Sequence, residues 1–530
     1  MKKVNIYTAI LTAVMLTVGT ACEDFLEQQS FGTLTSESLY NTESDAVAGI
    51  TGAYEKSNSA IGRRLMILVD LPGDELNYRN TGTGSRGVFD NYTWTATHSY
   101  IRDTYDNHYE AIKMANSVVD NMDKVEDISD EMRNHIRGEA RFLRSLWYFN
   151  LVRLFHDVPL ITSSNIDLNN AEAPQSTATE IYDFIIEDLK LAEQELLEQP
   201  QAVGRVGRGA AQGVLAKVLL HRAKTGFSTT EQQDYVDAAT LTGKVISAGV
   251  HDLHPQIDQL FGVYTAQDLE GDNEFMFSVQ NLSSVPGGQH HSEILYYGGL
   301  GDFGHRGWSA FGGDVTHYNR YDNNDLRKST FYLTSYDDDG SMKYFDIDDM
   351  GGDDFSKQDG PFPTKHFDVF NKTPISVGRD MSVLRYADIL LLHAEAILAR
   401  DGAPNTEAYD AINQVIRRAH GEDPSTAGAY DLAGMTSAQF REAVFTERKK
   451  ELMFEGHGWF DGLRFWDLFV RDTEAASRAV HLSITPMTKD QGNSNTQITV
   501  DDKFKVFPLP QDALDKNPLL KQNPIWSTGS

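Results

Sequence analysis

Two crowded sets of aromatic side chains are the residues best suited to hold a ligand. Tyr78, Phe89, Tyr92 and Trp94 gather in one loop-rich stretch, Leu71 to Tyr100. Tyr296, Tyr297, Phe303, Trp308, Phe311, Tyr318 and Tyr321 gather in another. Flat rings suit the apolar C–H faces of pyranose rings, and neighbouring Asn, Asp and Arg side chains bond sugar hydroxyls. Trp94 stands between Thr93 and Thr95, and Trp308 between Gly307 and Ser309, settings that read as exposed. The expected ligand-binding set is Tyr78, Tyr92, Trp94, Tyr296, Phe303 and Trp308, and the expected working surface lies where the two irregular regions meet. The competing reading of each ring is that it fills the core beneath the loops.

Catalytic signatures are scarce. Gly82-Thr-Gly84-Ser-Arg-Gly87 and Gly299-Leu-Gly301-Asp-Phe-Gly304 match GxGxxG, but neither runs from a strand into an amphipathic helix, which dinucleotide binding requires. HExxH, GxSxG, a cysteine pair and a Walker loop are all missing. A glycosidase needs only two carboxylates at the right separation, and the chain has carboxylates in abundance. His290-His291 offers imidazoles, and the acidic run Asp337–Asp354 offers oxygen ligands without the spacing of an EF-hand. The reading is of no enzyme, no cofactor and no metal, with calcium near Asp337–Asp354 left open.

The elements that must position these loops are helices. Ile101, Tyr105, His108, Ile112, Ala115, Val119 and Met122 recur at helical spacing, as do Ile136, Ala140, Leu143, Trp147, Leu151 and Leu154, a run stopped near Pro159. Thr179 reads as the N-cap of a helix through Ile181, Ile185, Leu189, Ala192 and Leu196, and Gly209 to Lys224 as the next. Further on, Tyr386–Arg400 ends before Gly402, Thr406–Ala419 ends before Gly421, and Ser437–Phe454 opens on a serine cap. Helix pairs of roughly 30–40 residues are the signature of tetratricopeptide-type repeats, which present surfaces. The stretch from Asp252 to Asp380 differs, with a β-like run Glu274–Gln280 and glycine-rich loops. Loops this long inside a folded protein are generally functional.

Lys2 and Lys3 precede an apolar run from Ile6 to Val18, then Gly19-Thr20-Ala21 and Cys22, the only cysteine of the 530 residues. The run is shorter than the about 20 residues that span a bilayer and has the order of a secretory signal peptide. Cys22 after small residues resembles a lipoprotein cleavage site, although Gly19 stands where that site usually has Leu. The expected mature chain is Cys22–Ser530, lipid-tethered at Cys22 and otherwise outside the bilayer. Lys and Arg total 47 against 77 Asp and Glu, a net charge of −30. Such a field argues against nucleic-acid backbones and anionic membrane surfaces as partners.

Four parts of the chain then carry a family resemblance. Arg137 to Ile161, RGEARFLRSLWYFNLVRLFHDVPLI, resembles the hallmark helix of the SusD/RagB family, and Glu447 to Asp461, ERKKELMFEGHGWFD, with Leu463-Arg464, resembles its second hallmark. Phe507-Pro-Leu-Pro510, Asn517-Pro and Gln522-Asn-Pro524 are similar to its C-terminus, and Cys22-Glu-Asp-Phe-Leu-Glu27 to its lipoprotein start. The resemblance implies a predominantly α fold, a tetratricopeptide-like scaffold of about four helix pairs with a loop-rich, minor-β insertion carrying the ligand surface. It implies a signal peptide at 1–21, a helical region at 22–250, the insertion at 251–380 and a C-terminal region at 381–530. It further implies an outer-membrane lipoprotein of Bacteroidetes, exposed at the cell surface by the acidic Glu23 and Asp24. Such a protein binds oligosaccharide or polysaccharide and delivers it to a SusC-like TonB-dependent transporter without catalysis. Peptide or glycopeptide capture by the same architecture, a surface glycosidase and an assembly protein that binds only the transporter are the alternatives. The hallmark residues themselves read as structural. Leu143, Trp147, Leu151, Leu154, Leu452 and Phe460 read as packing, and Arg141, Arg144, Glu451 and Glu455 as interhelical ion pairs.

Overall fold

Thr42 and Asp45 set the first helix: the Thr42 side chain accepts from Asp45 N while the Asp45 carboxylate accepts from Thr42 N, a reciprocal cap that satisfies two donors at the helix start. The computed structural model describes residues 40–78, 86–164, 172–261, 272–280, 311–338, 341–344, 361–366, 380–475 and 500–527. Cys22 and the signal segment lie outside them. The longer helices are α1 (Glu43–Ala60), α2 (Arg63–Asp70), α3 (Ser99–Asn121), α4 (Asp130–Phe155), α5 (Ala178–Glu195), α6 (Arg208–Lys224) and α7 (Glu231–Ala248). After the insertion come α8 (Tyr386–Asp401), α9 (Thr406–Ala419), α10 (Ser437–Glu451), α11 (Gly458–Arg464) and α12 (Trp466–Ala475).

Most apolar stripes read from the sequence are buried as expected. Helices α1, α2 and α7 were not among the helices expected. Helix α1 buries Ala46, Ile50, Ala53, Ser57 and Ala60, and α7 buries Asp234, Ala238, Ala239 and Thr242 beside larger residues. Small and polar side chains at the core face leave a faint hydrophobic period. Two caps also move. Thr177, in a capping box with Glu180, opens α5 in place of Thr179, and Thr436, in a box with Gln439, opens α10 in place of Ser437. Helix α10 stops at Glu451, short of the expected Phe454. Gly402 (φ 72°) closes α8 in the left-handed conformation that glycine adopts without steric cost.

Each helix packs on its neighbour in turn: α1 on α3, then α3 on α4, α4 on α5, and so on through α9, with α10 against α8 and α9. Pairing α1 with α3, α4 with α5, α6 with α7 and α8 with α9 gives the tetratricopeptide-like scaffold. Helices α7 and α8 touch although the insertion separates them in the chain. Its two ends are tied there, strand Phe275–Val279 running antiparallel to strand Met381–Arg385, which leads straight into α8. The other strands form two-stranded ribbons.

The charged run of α10 is inside. Glu447, Arg448, Lys449, Lys450 and Glu451 are all buried, and each pairs with opposite charge on another element. Arg385 reaches Glu274 at 2.5 Å, Glu451 at 3.0 Å and Glu455 at 2.6 Å. Arg418 of α9 binds Glu274 and Glu451, both at 2.7 Å. Arg327 bridges Asp325, Glu447 and Glu451, and Lys365 binds Glu455. On the other side Arg448 joins Asp388 of α8 at 2.8 Å to Asp461 of α11 at 2.7 Å, and Lys217 of α6 also meets Asp388. Lys449 binds Asp74 and Asp472. Burial alone would raise the Glu451 carboxyl, but Arg418, Arg385 and Arg327 together hold it down at about 2. The expected ion pairs of Arg141 and Arg144 are also present, both to Asp188 of α5.

This network predicts two outcomes. Arg385→Met leaves Glu274, Glu451 and Glu455 short of a buried cation and costs about 3–5 kcal/mol of folding stability. Urea denaturation reads the loss, and a change below about 1 kcal/mol contradicts the network's role. Acidification is the second. Glu451, and Asp461 also held at about 2 by Arg448 and Arg464 against burial, have folded values below their unfolded ones. Their stabilisation is present above about pH 4.5 and is lost as pH falls through about 2. Asp70 and Glu75, raised by burial, work the opposite way. Urea midpoints at successive pH values therefore fall steeply below about pH 4.5; midpoints flat to pH 3 contradict it.

Candidate functional site

Residues 92–98 run in and out of the surface. Thr93, Thr95 and Thr97 are exposed, while Tyr92 and Trp94 between them are buried. Trp94 is 2% exposed, stacked on Phe507 at 4.9 Å and edge-on to Phe504 at 4.8 Å, with Trp459 at 6.2 Å. The burial alternates along this irregular loop, which turns at Tyr92 (φ 54°), so the threonines on either side of Trp94 face outward while the ring faces inward. Tyr92 is buried beside Phe504 and donates its hydroxyl to Pro72 O. Tyr78 is buried, edge-on to Phe311 at 5.6 Å. The expectation that these three rings present free faces to a ligand is therefore corrected: protein rings already occupy them. Trp94 rivets this loop to Phe507 of the C-terminal Phe-Pro-Leu-Pro string and, with Tyr92, to Phe504, while Tyr78 joins it to Phe311. Tyr296, Phe303 and Trp308 lie outside the described residues, as do His290-His291.

The meeting of the two irregular regions does take place. Strand Leu76–Tyr78 pairs antiparallel with strand Phe311–Gly313, Tyr78 opposite Phe311. Segment 79–85 thus leaves the strand pair at the point where segment 281–310 enters it. Asp314 N donates to Glu75 O at 3.0 Å and Tyr78 N to the Asp90 carboxylate at 3.0 Å, extending the junction on both sides.

Beside this junction lies a half-buried set of polar and aromatic side chains that the sequence reading did not single out. Tyr100, at the start of α3, accepts a hydrogen bond at its hydroxyl from Arg86 Nε at 2.9 Å. The Arg86 guanidinium sits 5.9 Å from the Tyr100 ring centre and 6.0 Å from that of Phe311. Arg64 lies 5.9 Å from the same Tyr100 ring and pairs with Asp103 at 2.6 Å. Burial, with Arg86 and Arg64 close by, presses the Arg63 guanidinium below its ordinary value. Tyr100 stacks on Phe89 at 6.5 Å and meets His98 edge-on at 5.5 Å, so the half of the ring left at the surface, with the guanidinium forks and one carboxylate beside it, can still meet an apolar face and bond several hydroxyls. The only local signal was the Arg63-Arg64 doublet; Arg86 and Tyr100 meet through tertiary folding.

The chemistry of catalysis has no comparable arrangement. Among the described residues no three His, Cys, Asp or Glu side chains converge as metal ligands. Asp388 and Glu455, whose carboxyls lie far below their ordinary range, are fully buried in the ion network and held there by Lys217, Arg448, Arg385 and Lys365. A hollow of about 600 Å³ opens at the ends of the scaffold helices, lined in part by Glu231, Tyr235, Ser437 and Arg441. Among the described residues no helix is long and apolar enough to cross a membrane.

Comparison with known proteins agrees with this architecture from end to end. Residues 307–526 match the model of the SusD family, and residues 24–220 match a second model described as starch-binding, associating with the outer membrane. The SusD-like protein P2 of Formosa agariphila is 27% identical over 493 residues, covering 87% of this chain and 90% of its own length. The starch-binding protein SusD of Bacteroides thetaiotaomicron is 24% identical over 266 residues, 46% of this chain and 45% of that protein. A SusD homolog from Bacteroides thetaiotaomicron superposes with a TM-score of 0.76 at 25% identity, covering 92% of this chain and 98% of that one. Matched over both halves and sharing the helical scaffold of its relatives, the chain belongs to the SusD/RagB family.

Proposed function

We propose that the protein captures an oligosaccharide or polysaccharide at the cell surface and passes it, chemically unchanged, to a SusC-like TonB-dependent transporter. The observation that carries this reading is the junction of strands Leu76–Tyr78 and Phe311–Gly313, where two irregular segments converge beside Tyr100, Arg86 and Arg64. The starch-binding description of the family model over residues 24–220 supports a glycan as ligand. Cys22 carries the lipid that holds the chain to the outer membrane, with the acidic Glu23 and Asp24 directing it outward.

Stacking on an aromatic face and hydrogen bonds from guanidinium forks supply binding without a reacting group. Tyr296, Phe303 and Trp308 are proposed as further stacking residues on their aromatic character, in the stretch of sequence that precedes Phe311. Affinity can be modest, because tethering beside the transporter raises the effective concentration for the second contact. Rigid packing beneath the rim lets the loops vary with ligand while the scaffold stays the same.

Affinity electrophoresis of the chain from Glu23 through neutral, acidic and host polysaccharides tests this reading, with product analysis in each lane. The expected result is retardation by one glycan class with no products, weakened about 2- to 10-fold in Tyr100→Ala and in Trp308→Ala. Trp94→Ala instead lowers folding stability by about 3–5 kcal/mol, read by thermal denaturation, while any folded fraction keeps its retardation. No retardation by any polysaccharide, or release of products, overturns non-catalytic glycan capture.

A further inference from the structure

Seven arginines besides Arg153 are buried among the described residues, and all seven meet a carboxylate at 2.5–2.9 Å: Arg144, Arg327, Arg385, Arg417, Arg418, Arg448 and Arg464. Arg153 does not. It is 6% exposed, and its guanidinium is sandwiched between the rings of Phe149 and Phe460, 3.8 and 3.4 Å from their centres. Its hydrogen bonds go to neutral oxygens, Phe149 O at 3.1 Å and Asn150 Oδ1 at 2.5 Å. Two rings and two neutral acceptors offset part of the cost of burying a cation, and a nearby anion is the group that offsets the rest.

Arg153 lines a cavity of about 190 Å³ together with His156, Tyr182, His221, Lys224 and Lys505. Among the described residues no Asp or Glu lines it. One buried polar atom on its wall, His221 Nδ1, completes no hydrogen bond, and the Tyr182 hydroxyl beside it interacts with the Thr225 side chain. His221 is 1% exposed and Tyr182 0%. Lys224 shares Glu395 with Arg464, at 3.4 Å against 2.9 Å. Lys505, with 40% of its side chain exposed, stands at the mouth, 5.1 Å above the Trp466 ring, and pairs with the exposed Asp502 at 2.9 Å, a screened surface pair that a bound anion can share. A single water needs only about 10–15 Å³, so the cavity admits a larger polar group.

We infer that this cavity between the ends of α4 and α6 is a binding site for a compact oxyanion of the sulfate, phosphate or carboxylate class. The anion would accept from Arg153 and Lys505 and from the neutral donors His221 and Tyr182, supplying the negative partner that Arg153 lacks. Charge-assisted hydrogen bonds to a guanidinium are among the strong ones, and the low-dielectric wall strengthens them further. Burial has already pushed the Arg153 guanidinium down to about 9, a displacement that an adjacent anion reverses. None of these residues belongs to the Tyr100 rim, so the site stands independently of glycan capture.

Isothermal titration of the mature chain with sodium sulfate and, in a second arm, sodium glucuronate tests the site, each against sodium chloride at matched ionic strength. The expected result is saturable one-to-one binding of at least one anion, weakened threefold or more in Lys505→Gln and lost in Arg153→Met. Lys505 is partly exposed, so its variant keeps the test valid if Arg153→Met fails to fold. Saturation by sulfate alone identifies a free inorganic ion as occupant, and saturation by glucuronate identifies a charged sugar substituent. No saturable binding of either anion up to about 10 mM, or an affinity unchanged in Lys505→Gln, overturns the inference.

Discussion

Burying a chain of charges without leaving one unpaired is the constraint on which this structure rests. Glu451 at the end of α10 meets Arg385, Arg418 and Arg327 at once, and Glu455 just beyond it meets Arg385 and Lys365. These partners come from a strand, a scaffold helix and the insertion, so no element can shift without stranding a charge in a low-dielectric interior. Hydrophobic contact is tolerant of sliding; a bidentate ion pair is not. The network therefore fixes how the returning strand Met381–Arg385, and with it the insertion, is set on the helices.

Position follows from that fixation. Asp74 and Glu75 are tied into the same region, Asp74 by Lys449 and Arg320 and Glu75 by Phe454 N at 3.4 Å. Immediately after them comes strand Leu76–Tyr78, which pairs with Phe311–Gly313. The junction proposed to face the ligand is thus held from beneath by charge and from the side by the Trp94, Phe504 and Phe507 rings. The two hallmark strings serve the frame: Arg144 pairs with Asp188, and Glu451 and Glu455 with Arg385.

The sequence made the scaffold legible where large apolar residues recur at helical spacing, as in α3 and α4. It also marked Arg141, Arg144, Glu451 and Glu455 as ion-pair members, because charges embedded in apolar hallmark helices must find partners. Helices α1 and α7 were silent since Ala, Ser, Thr and Asp fill their core faces. Trp94 faces inward although both of its neighbours are exposed threonines, because burial alternates along this loop, and polar neighbours alone do not reveal that. Tyr100, Arg86 and Arg64 are beyond reach for a different reason: past the Arg63-Arg64 doublet, their convergence is made by tertiary contacts that local sequence does not carry. Arg153 is a related case, its distinction lying in a carboxylate that does not come.

The central claim is that ligand engages the strand junction while the ion-paired scaffold stays still. Hydrogen exchange of the chain with and without the polysaccharide that retards it addresses this directly. The account predicts slowed exchange in residues 76–103 and 311–321, with α4, α9 and α10 unchanged. Slowed exchange confined to the scaffold helices, with the junction unaffected, would contradict it.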